Sequence, residues 1–185
     1  MLDTSSHIIY SHVIFALKNS RYDLEQVKRK KVVGFIAPTY PFLEGKEEEI
    51  LIEVLSKTAS ELNISLAALN FCGDHVHAII VSETSDQSKS MMLWKGKTAY
   101  IYNKLVNPFI NSSGSVKSDG TKQQLWAKSY FQRILKSKEE IQNVIHYVNY
   151  NRQKHHLPKL SDSTIEIIKI LTNQSITDGF TRRQT

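Results

Sequence analysis

Two histidines one residue apart are the first feature of this sequence that could do chemistry. His75 and His77 follow Gly73 and Asp74, and an apolar run continues after them. Alternate side chains of a β-strand lie on one face, so both imidazoles would project together and could chelate one cation. The other interpretation is a pair of hydrogen-bonded histidines on a half-buried strand. The histidine pair alone does not decide between the two.

Neighbouring positions exclude two other kinds of histidine site. A histidine-triad nucleotide hydrolase needs a third histidine at position 79, where this chain has Ile79. A cupin metal site needs a glutamate four or five residues after His77, and Val81 and Ser82 stand at those positions. We therefore expect neither of these sites.

A tyrosine in a late helical segment is a candidate nucleophile. The segment from Ser137 to about His155 predicts a helix, and Pro158 follows it closely enough to end it. Tyr147 and Asn151 are four residues apart and so lie on one face of that helix. Taken alone, Tyr147 would more simply pack against a sheet. The histidine pair makes a catalytic role the better interpretation.

Three spaced motifs are together similar to one known family, the single-tyrosine HUH transposases. This family includes insertion-sequence transposases and the REP-associated tyrosine transposases. The motifs are His75-Val76-His77, then Trp126 with Tyr130-Phe131 and Arg133, and finally Tyr147 with Asn151. The resemblance spans residues 7–156, including the segment His12-Val-Ile-Phe15 and Lys97. Asn151 is followed by Arg152, where REP-associated members often carry proline, so the subfamily stays open.

The resemblance implies a chemistry as well as a fold. A cation, Mg²⁺ or Mn²⁺, would be held by His75 and His77 and completed by the side-chain oxygen of Asn151. Tyr147 would attack a DNA phosphodiester, leaving a 5′-phosphotyrosine and a free 3′-hydroxyl. Helix periodicity of about 100° per residue separately predicts that Tyr150 projects to solvent. The implied substrate is single-stranded or hairpin DNA. Two alternatives stay open, a domesticated hairpin-binding protein that does not cut and a replication initiator of the same superfamily.

The charge of the chain suits a nucleic-acid partner. There are 24 Lys and Arg against 18 Asp and Glu, a net charge of +6. Each basic side chain could equally belong to a solvated surface, so the prediction of DNA contact concerns the set. The set is Lys28, Arg29, Lys30, Lys31, Lys95, Lys97, Arg133 and Lys154.

Cysteine usage and hydropathy limit the setting of the protein. Cys72 is the single cysteine of 185 residues, so an internal disulfide framework and a multi-cysteine zinc site are excluded. We interpret Cys72 as a small buried apolar residue. No apolar run approaches the roughly 18 residues of a membrane span, and no signal-like segment begins the chain. These features favour a cytoplasmic protein, which would be nucleoid-associated when bound to DNA. Whether it acts as a monomer or a homodimer stays open.

The elements that must position these residues alternate between strands and helices. Apolar patterns predict strands over 7–17, 64–72, 75–82 and 125–135, and helices over 46–62, 88–105 and 137–155. Gly73-Asp74 suits a tight hairpin turn, while 18–45 and 107–124 read as irregular connections. The order predicts an α+β fold, a mostly antiparallel sheet with helices packed on it, of the ferredoxin or RRM-like kind. We expect one domain over 1–157 and a tail over 158–185 with at most a short helix.

Overall fold

Four strands and four helices make up the part of the chain that the computed structural model describes, residues 8–20, 41–106 and 124–181. Side chains are described as far as residue 173. The elements are β1 (Ile9–Ala16), α1 (Gly45–Glu61), β2 (Ser65–Phe71), β3 (His75–Ser82), α2 (Ser88–Val106), β4 (Phe131–Leu135), α3 (Lys138–Lys154) and α4 (Asp162–Thr181).

The strands form one sheet in the order β2-β3-β1-β4, and every neighbouring pair is antiparallel. Helices α1 and α2 connect strands in the βαββαβ order of a ferredoxin-like fold, which confirms the predicted α+β class. The last predicted strand is shorter than expected. Only Phe131–Leu135 pairs with β1, and Trp126 forms an isolated bridge with Leu17.

One face of the sheet carries the main hydrophobic core. Phe15 and Val76 are register partners on this face, and both are completely buried. The Phe15 ring meets the Trp94 indole of α2 edge to face at 5.4 Å between centroids, and Trp94 Nε1 donates to the Leu55 carbonyl of α1 at 3.0 Å. Truncating a buried aromatic side chain to alanine lowers the free energy of unfolding by about 3–5 kcal/mol. Phe15 therefore helps to hold α2 on the sheet, and the Trp94 hydrogen bond links α2 to α1.

Helix α3 covers the opposite face. Val144 and Val148 pack there in a smaller cluster with Ile79 and Leu135. Asn70 of β2 donates its Nδ2 proton to the Val148 carbonyl at 2.7 Å. Because β-strand side chains alternate, the residues that share this face are those two positions apart, and both histidines of β3 are among them.

Local capping chemistry sets where α3 begins. Ser137 is the N-cap, and its hydroxyl accepts the Glu140 backbone N–H at 3.1 Å. The Glu140 carboxylate in turn accepts the Lys136 backbone N–H at 2.7 Å, a reciprocal arrangement close to a capping box. The predicted start of this helix is therefore explained by the residues before its first turn.

The C-terminal segment contains more structure than expected. Helix α4 has 20 residues, longer than the short helix predicted for 158–185. It packs against β2 and α1 through Ile165, Ile168 and Leu171, and the Ser161 backbone N–H just before it donates to Glu49 at 2.7 Å. The sequence boundary at 157 remains a prediction. None of the helices in the described ranges has the length and apolarity required to cross a membrane.

Candidate active site

A tight hairpin turn places the two histidines of β3. Gly73 adopts φ +77°, a value that fits the first central position of a II′ turn and that glycine tolerates best. A Cβ at Gly73 would also lie 2.2 Å from the Phe42 ring, so a side chain there would require that ring to move. The Cys72 N–H donates to the His75 carbonyl at 2.8 Å and closes the hairpin. His75 is consequently the first residue after the turn.

Three histidines and one aspartate form a continuous row on the α3 face. His12 Nε2 lies 3.1 Å from His77 Nδ1, and His77 Nε2 lies 3.1 Å from His75 Nε2. The row ends where His75 Nδ1–H donates to the Asp74 carboxylate at 2.6 Å. All four side chains are buried. The imidazoles of His75 and His77 therefore converge as the alternation of β3 requires.

The protons of this row can be arranged in two ways. If His77 carries its proton on Nε2, it donates to His75 and the row is satisfied as a plain hydrogen-bonded chain. If His77 carries its proton on Nδ1, it donates to His12, and two bare Nε2 lone pairs then face each other. Two lone pairs at that separation repel, so the second arrangement is stable only with a cation between them. With a cation bound, His12 would accept the His77 Nδ1 proton and Asp74 the His75 Nδ1 proton, which would leave both Nε2 lone pairs for the metal.

The residues present fit a divalent cation. Two nitrogens 3.1 Å apart, each about 2.1 Å from one ion, subtend roughly 95°, close to the angle between neighbouring ligands of an octahedral ion. Asn151 supplies an oxygen donor in the same region, because its Oδ1 is buried without a hydrogen-bond partner. A cation with open positions for water or phosphate could be held by this set.

Burial keeps the imidazoles of His12 and His77 neutral, and the neutral form is the one that binds metals. Desolvation is the main cause that lowers the pKa of His77 to about 2, with the nearby His75 as the next cause. Desolvation likewise lowers the pKa of His12 to about 4, helped by the positive charge of Arg133. At neutral pH both rings are therefore uncharged, and a cation meets no repulsion from an imidazolium.

Tyr147 lies beside the histidine row. Its ring meets that of His77 at 5.6 Å between centroids and that of His12 at 6.3 Å, both nearly perpendicular. The side chain is 38% exposed, so one side of the phenol faces solvent. Lys154, two turns later, places its Nζ 5.2 Å from the ring centroid. Partial burial raises the pKa of Tyr147, so the phenol holds its proton at neutral pH.

Tyr150 has different surroundings. It lies roughly 60° around α3 from Tyr147 at 100° per residue, on the side away from the buried stripe. Its ring stacks on His146 at 5.7 Å, and 49% of the side chain is exposed. The structure therefore brings Tyr147, and not Tyr150, to the histidines.

Asn151 and Cys72 contact each other next to the histidine pair. The Asn151 Nδ2 donates to the Cys72 sulfur at 3.5 Å, and both side chains are buried. The ligand atoms of Cys72, His75 and His77 all lie within 4.8 Å of one another. Burial raises the pKa of the Cys72 thiol to about 12, so it is protonated and unsuited to be a nucleophile.

A buried ion pair fixes the end of the tyrosine helix. Arg152 Nη2 donates to the Glu48 carboxylate of α1 at 3.0 Å, and Nη1 donates to the other carboxylate oxygen. The same guanidinium donates to the Phe71 carbonyl at 3.2 Å and to the Pro158 carbonyl at 2.6 Å. This clamp joins α3 to α1, to the end of β2 and to the segment before α4. Asn151, the residue next to Arg152, is held in place with it.

The basic residues predicted to contact DNA fall into three groups. Arg133 shares the site face with its register partner His12 and pairs with Glu140 at 3.0 Å, and Lys154 lies over Tyr147. Lys95 and Lys97 are on α2, which packs on the other face of the sheet. Lys95 Nζ donates to three carbonyls over 127–129, and Lys97 Nζ pairs with a Glu61 carboxylate at 2.8 Å. Lys28, Arg29, Lys30 and Lys31 lie outside the described residues.

Three buried residues of the site were not predicted as site residues from the sequence. His12 is 65 positions from His77, and only the pairing of β1 with β3 joins them. Asp74 was interpreted as a turn residue alone, and Cys72 as an apolar one. For Cys72 a signal was present, because a two-residue turn at 73–74 makes 72 and 75 cross-strand neighbours.

Comparison with known proteins identifies the family to which this chain belongs. The model of the IS200-like transposases matches residues 5–151 of the chain. A REP-associated tyrosine transposase bound to a REP hairpin has a similar structure, with a TM-score of 0.47, 12% identity, and coverage of 80% of this chain and 68% of that chain. A candidate transposase from Deinococcus radiodurans R1 also has a TM-score of 0.47, with 18% identity and coverage of 79% and 92%. No protein of curated function matches this chain.

Proposed function

Because this chain belongs to the IS200-like transposase family, it is a DNA-cleaving and strand-transferring enzyme, and we propose that it acts on single-stranded DNA through Tyr147. The observation that carries the proposal is the position of the Tyr147 ring. Its centroid lies 5.6 Å from the centroid of the His77 ring, and the side chain is partly exposed to solvent. Asn151, one turn along the same helix, adds a buried oxygen without a partner. The proposed nucleophile therefore lies beside His77, and the proposed oxygen ligand lies on the same helix.

The proposed step is a transesterification at phosphorus. The Tyr147 hydroxyl oxygen forms a bond to phosphorus while the bond from phosphorus to the 3′ oxygen of the preceding nucleotide breaks. The phenolic proton passes to solvent, and the departing 3′ oxygen takes a proton to become a free hydroxyl. The product is a 5′-phosphotyrosine. The number of phosphodiester bonds is unchanged, so the reverse step rejoins a strand without ATP.

His75, His77 and Asn151 would hold Mg²⁺ or Mn²⁺ in this proposal. A bound cation would supply positive charge that offsets the charge developing on the phosphate oxygens. The protein contributes orientation: Asp74 fixes the His75 ring, and with a cation bound His12 would accept the His77 Nδ1 proton, so that both Nε2 atoms stay available. Burial of the row excludes water from the side of the site opposite the DNA.

The surface around Tyr147 suits an unpaired strand. Phe131 is 45% exposed with its ring 6.4 Å from His12, and so lies on the same side as the partly exposed Tyr147. Exposed aromatic faces stack bases, and Arg133 and Lys154 beside them can neutralise phosphates. We infer that single-stranded DNA, at a site next to a hairpin, is the substrate. A domesticated binding protein would use the same surface and leave the DNA intact.

A covalent adduct tests the nucleophile. With a single strand carrying a hairpin from the flanks of the gene, the wild-type protein should form a denaturation-resistant protein–DNA adduct. Tyr147→Phe removes only the attacking oxygen and should eliminate the adduct while binding persists. Tyr150→Phe is the matched control and should leave the adduct unchanged, because Tyr150 stacks on His146 away from the row. Peptide mapping that finds DNA on Tyr150, or full adduct from Tyr147→Phe, would refute the assignment.

Metal removal tests the histidine site. EDTA should abolish cleavage, and added Mg²⁺ or Mn²⁺ should restore it. Replacing His75 or His77 by alanine should have the same effect as EDTA and leave DNA binding largely intact. Undiminished cleavage by both single variants would exclude the metal role. Binding without cleavage by the wild-type protein under all metal conditions would favour the domesticated alternative.

A further inference from the structure

The hairpin register adds Cys72 to the histidine face. Asn70 pairs with His77 and Phe71 with Val76, so Cys72 stands opposite His75 at the end of the ladder. The backbone bond from Cys72 N–H to the His75 carbonyl shows that this pairing is formed. Directly opposed side chains project from the same face with Cβ atoms about 5 Å apart. The thiol is therefore a cross-strand neighbour of His75.

The thiol points to the same place as the imidazoles. Its sulfur and one nitrogen of each histidine lie mutually within 4.8 Å, and all three residues are buried. Asn151 provides an independent sign of a missing ligand. Its side chain is completely buried, its Nδ2 contacts the Cys72 sulfur, and its Oδ1 has no hydrogen-bond partner. A buried oxygen without a partner, on a side chain that contacts Cys72, is suited to act as a further ligand.

These donors are softer than the ones that Mg²⁺ prefers. Mg²⁺ takes oxygen ligands in octahedral geometry and does not recruit sulfur, whereas Zn²⁺ readily combines one thiolate with two imidazoles. Zn²⁺ has a further feature that matters here. It is most often four-coordinate, so Cys72, His75, His77 and the Asn151 oxygen would complete its shell and leave no position for a phosphate.

We propose that Cys72, His75 and His77 form a zinc site that overlaps the proposed Mg²⁺ or Mn²⁺ site and that zinc bound there inhibits strand cleavage. The inhibition rests on the proposed function, whereas the zinc site itself does not. A zinc–sulfur bond forms as the thiol proton is released to solvent, since coordination deprotonates a thiol outright. The ion competes directly with Mg²⁺ because both use the same two histidine nitrogens.

The absorption spectrum of bound Co²⁺ tests the site without any need for activity. The reduced wild-type protein, titrated with Co²⁺ alone, should bind one equivalent and develop an intense near-ultraviolet thiolate-to-cobalt band. Zn²⁺ should displace the cobalt and remove the band. Cys72→Ser and Cys72→Ala should bind Co²⁺ through the histidines without that band. His77→Ala is the matched control and should lose binding as a whole.

Competition with a chromophoric chelator measures the affinity change. Loss of a direct ligand should weaken Zn²⁺ binding by more than the roughly 10–100-fold that loss of an outer partner costs. Binding of Mn²⁺ should be the same in Cys72→Ser as in the wild type. In cleavage assays with Mn²⁺, Zn²⁺ should inhibit the wild type at lower concentrations than it inhibits the Cys72 variants, which hold zinc through the histidines alone.

The outcomes separate the two proposals. Co²⁺ binding by the wild type without a sulfur band, or no Co²⁺ binding at all, overturns the zinc site. Should both Cys72 variants fail to fold, the wild-type spectrum still decides. A sulfur band in a protein that never cleaves DNA supports the zinc site and refutes the proposed function. Equal zinc inhibition of the wild type and Cys72→Ser overturns the inhibitory role of the thiol.

Discussion

The folded protein should lose stability steeply as the pH falls from 7.5 to 5.5. His12 and His77 both have folded pKa values far below the ordinary value of 6.5, about 4 and about 2, chiefly because burial opposes the charged form. An unfolded histidine binds a proton near pH 6.5, whereas neither buried ring does. The unfolded state therefore binds more protons in this interval, and unfolding becomes easier as the pH falls.

The size of the effect follows from the pKa shifts. The contribution of each ring is fully present above pH 6.5 and declines below it until the folded pKa is reached. At pH 5.5, one unit below the unfolded value, each histidine lowers the free energy of unfolding by about 1.4 kcal/mol, or about 3 kcal/mol for both. A typical domain has about 5–15 kcal/mol in total, so this loss is easily measured.

Urea unfolding followed by far-ultraviolet circular dichroism in EDTA measures this loss. His12→Asn and His77→Asn each remove one titrating ring, and each should lower the pH dependence between 7.5 and 5.5 by about half. Each variant is compared with itself at the two pH values, which cancels the effect of the substitution on the free energy of unfolding. His146→Asn, in an exposed part of α3, is the control and should keep the wild-type dependence. If the pH dependence of the free energy of unfolding were unchanged in both variants, the rings of His12 and His77 would have to be protonated already or accessible to water.

Three further predictions concern the residues that position the site. Arg152→Leu should lower the free energy of unfolding by about 3–5 kcal/mol, because Glu48 is left as an unpaired buried charge. In urea unfolding the double variant Glu48→Leu/Arg152→Leu should recover part of that loss. Equal losses in the single and double variants would contradict the clamp. Asp74→Asn should weaken Mn²⁺ binding by roughly 10–100-fold through loss of the charged acceptor for His75, measured by calorimetry, and an unchanged affinity would exclude the orienting role. Affinity for single-stranded DNA should fall with salt at about 0.7 log units per decade of salt for each phosphate contact, and a flat plot would count against a backbone-tracking surface.

Short-range chemistry in the sequence was enough to predict most of the elements. The start of α3 could be predicted because Ser137 caps its first turn, and the β2–β3 hairpin because Gly73 accepts a positive φ. Alternation along β3 was likewise sufficient to place His75 and His77 on one face. In each case the cause lies within about four residues, which is the distance that pattern analysis covers.

Long-range contacts explain what the sequence did not predict. The ammonium of Lys95, for which DNA contact stays a prediction, is bound to carbonyls 32–34 residues away, which no local pattern reveals. The length of α4 depends on packing against β2 and α1, since the charged and polar residues of that segment give only a weak amphipathic pattern. The role of His12 depends on the β1–β3 register.

The two faces of the sheet separate stability from chemistry. The face under α1 and α2 is mainly apolar, with Phe15 and Trp94 fully buried, and it carries the larger hydrophobic cluster. The α3 face buries polar groups, and burial of such groups is tolerated only where each finds a partner. The histidine row meets that condition within itself, whereas the oxygen of Asn151 does not. Because Asn151 is held next to the Arg152 clamp, relaxation of α3 cannot easily provide a partner, and a bound cation is the simplest group that would.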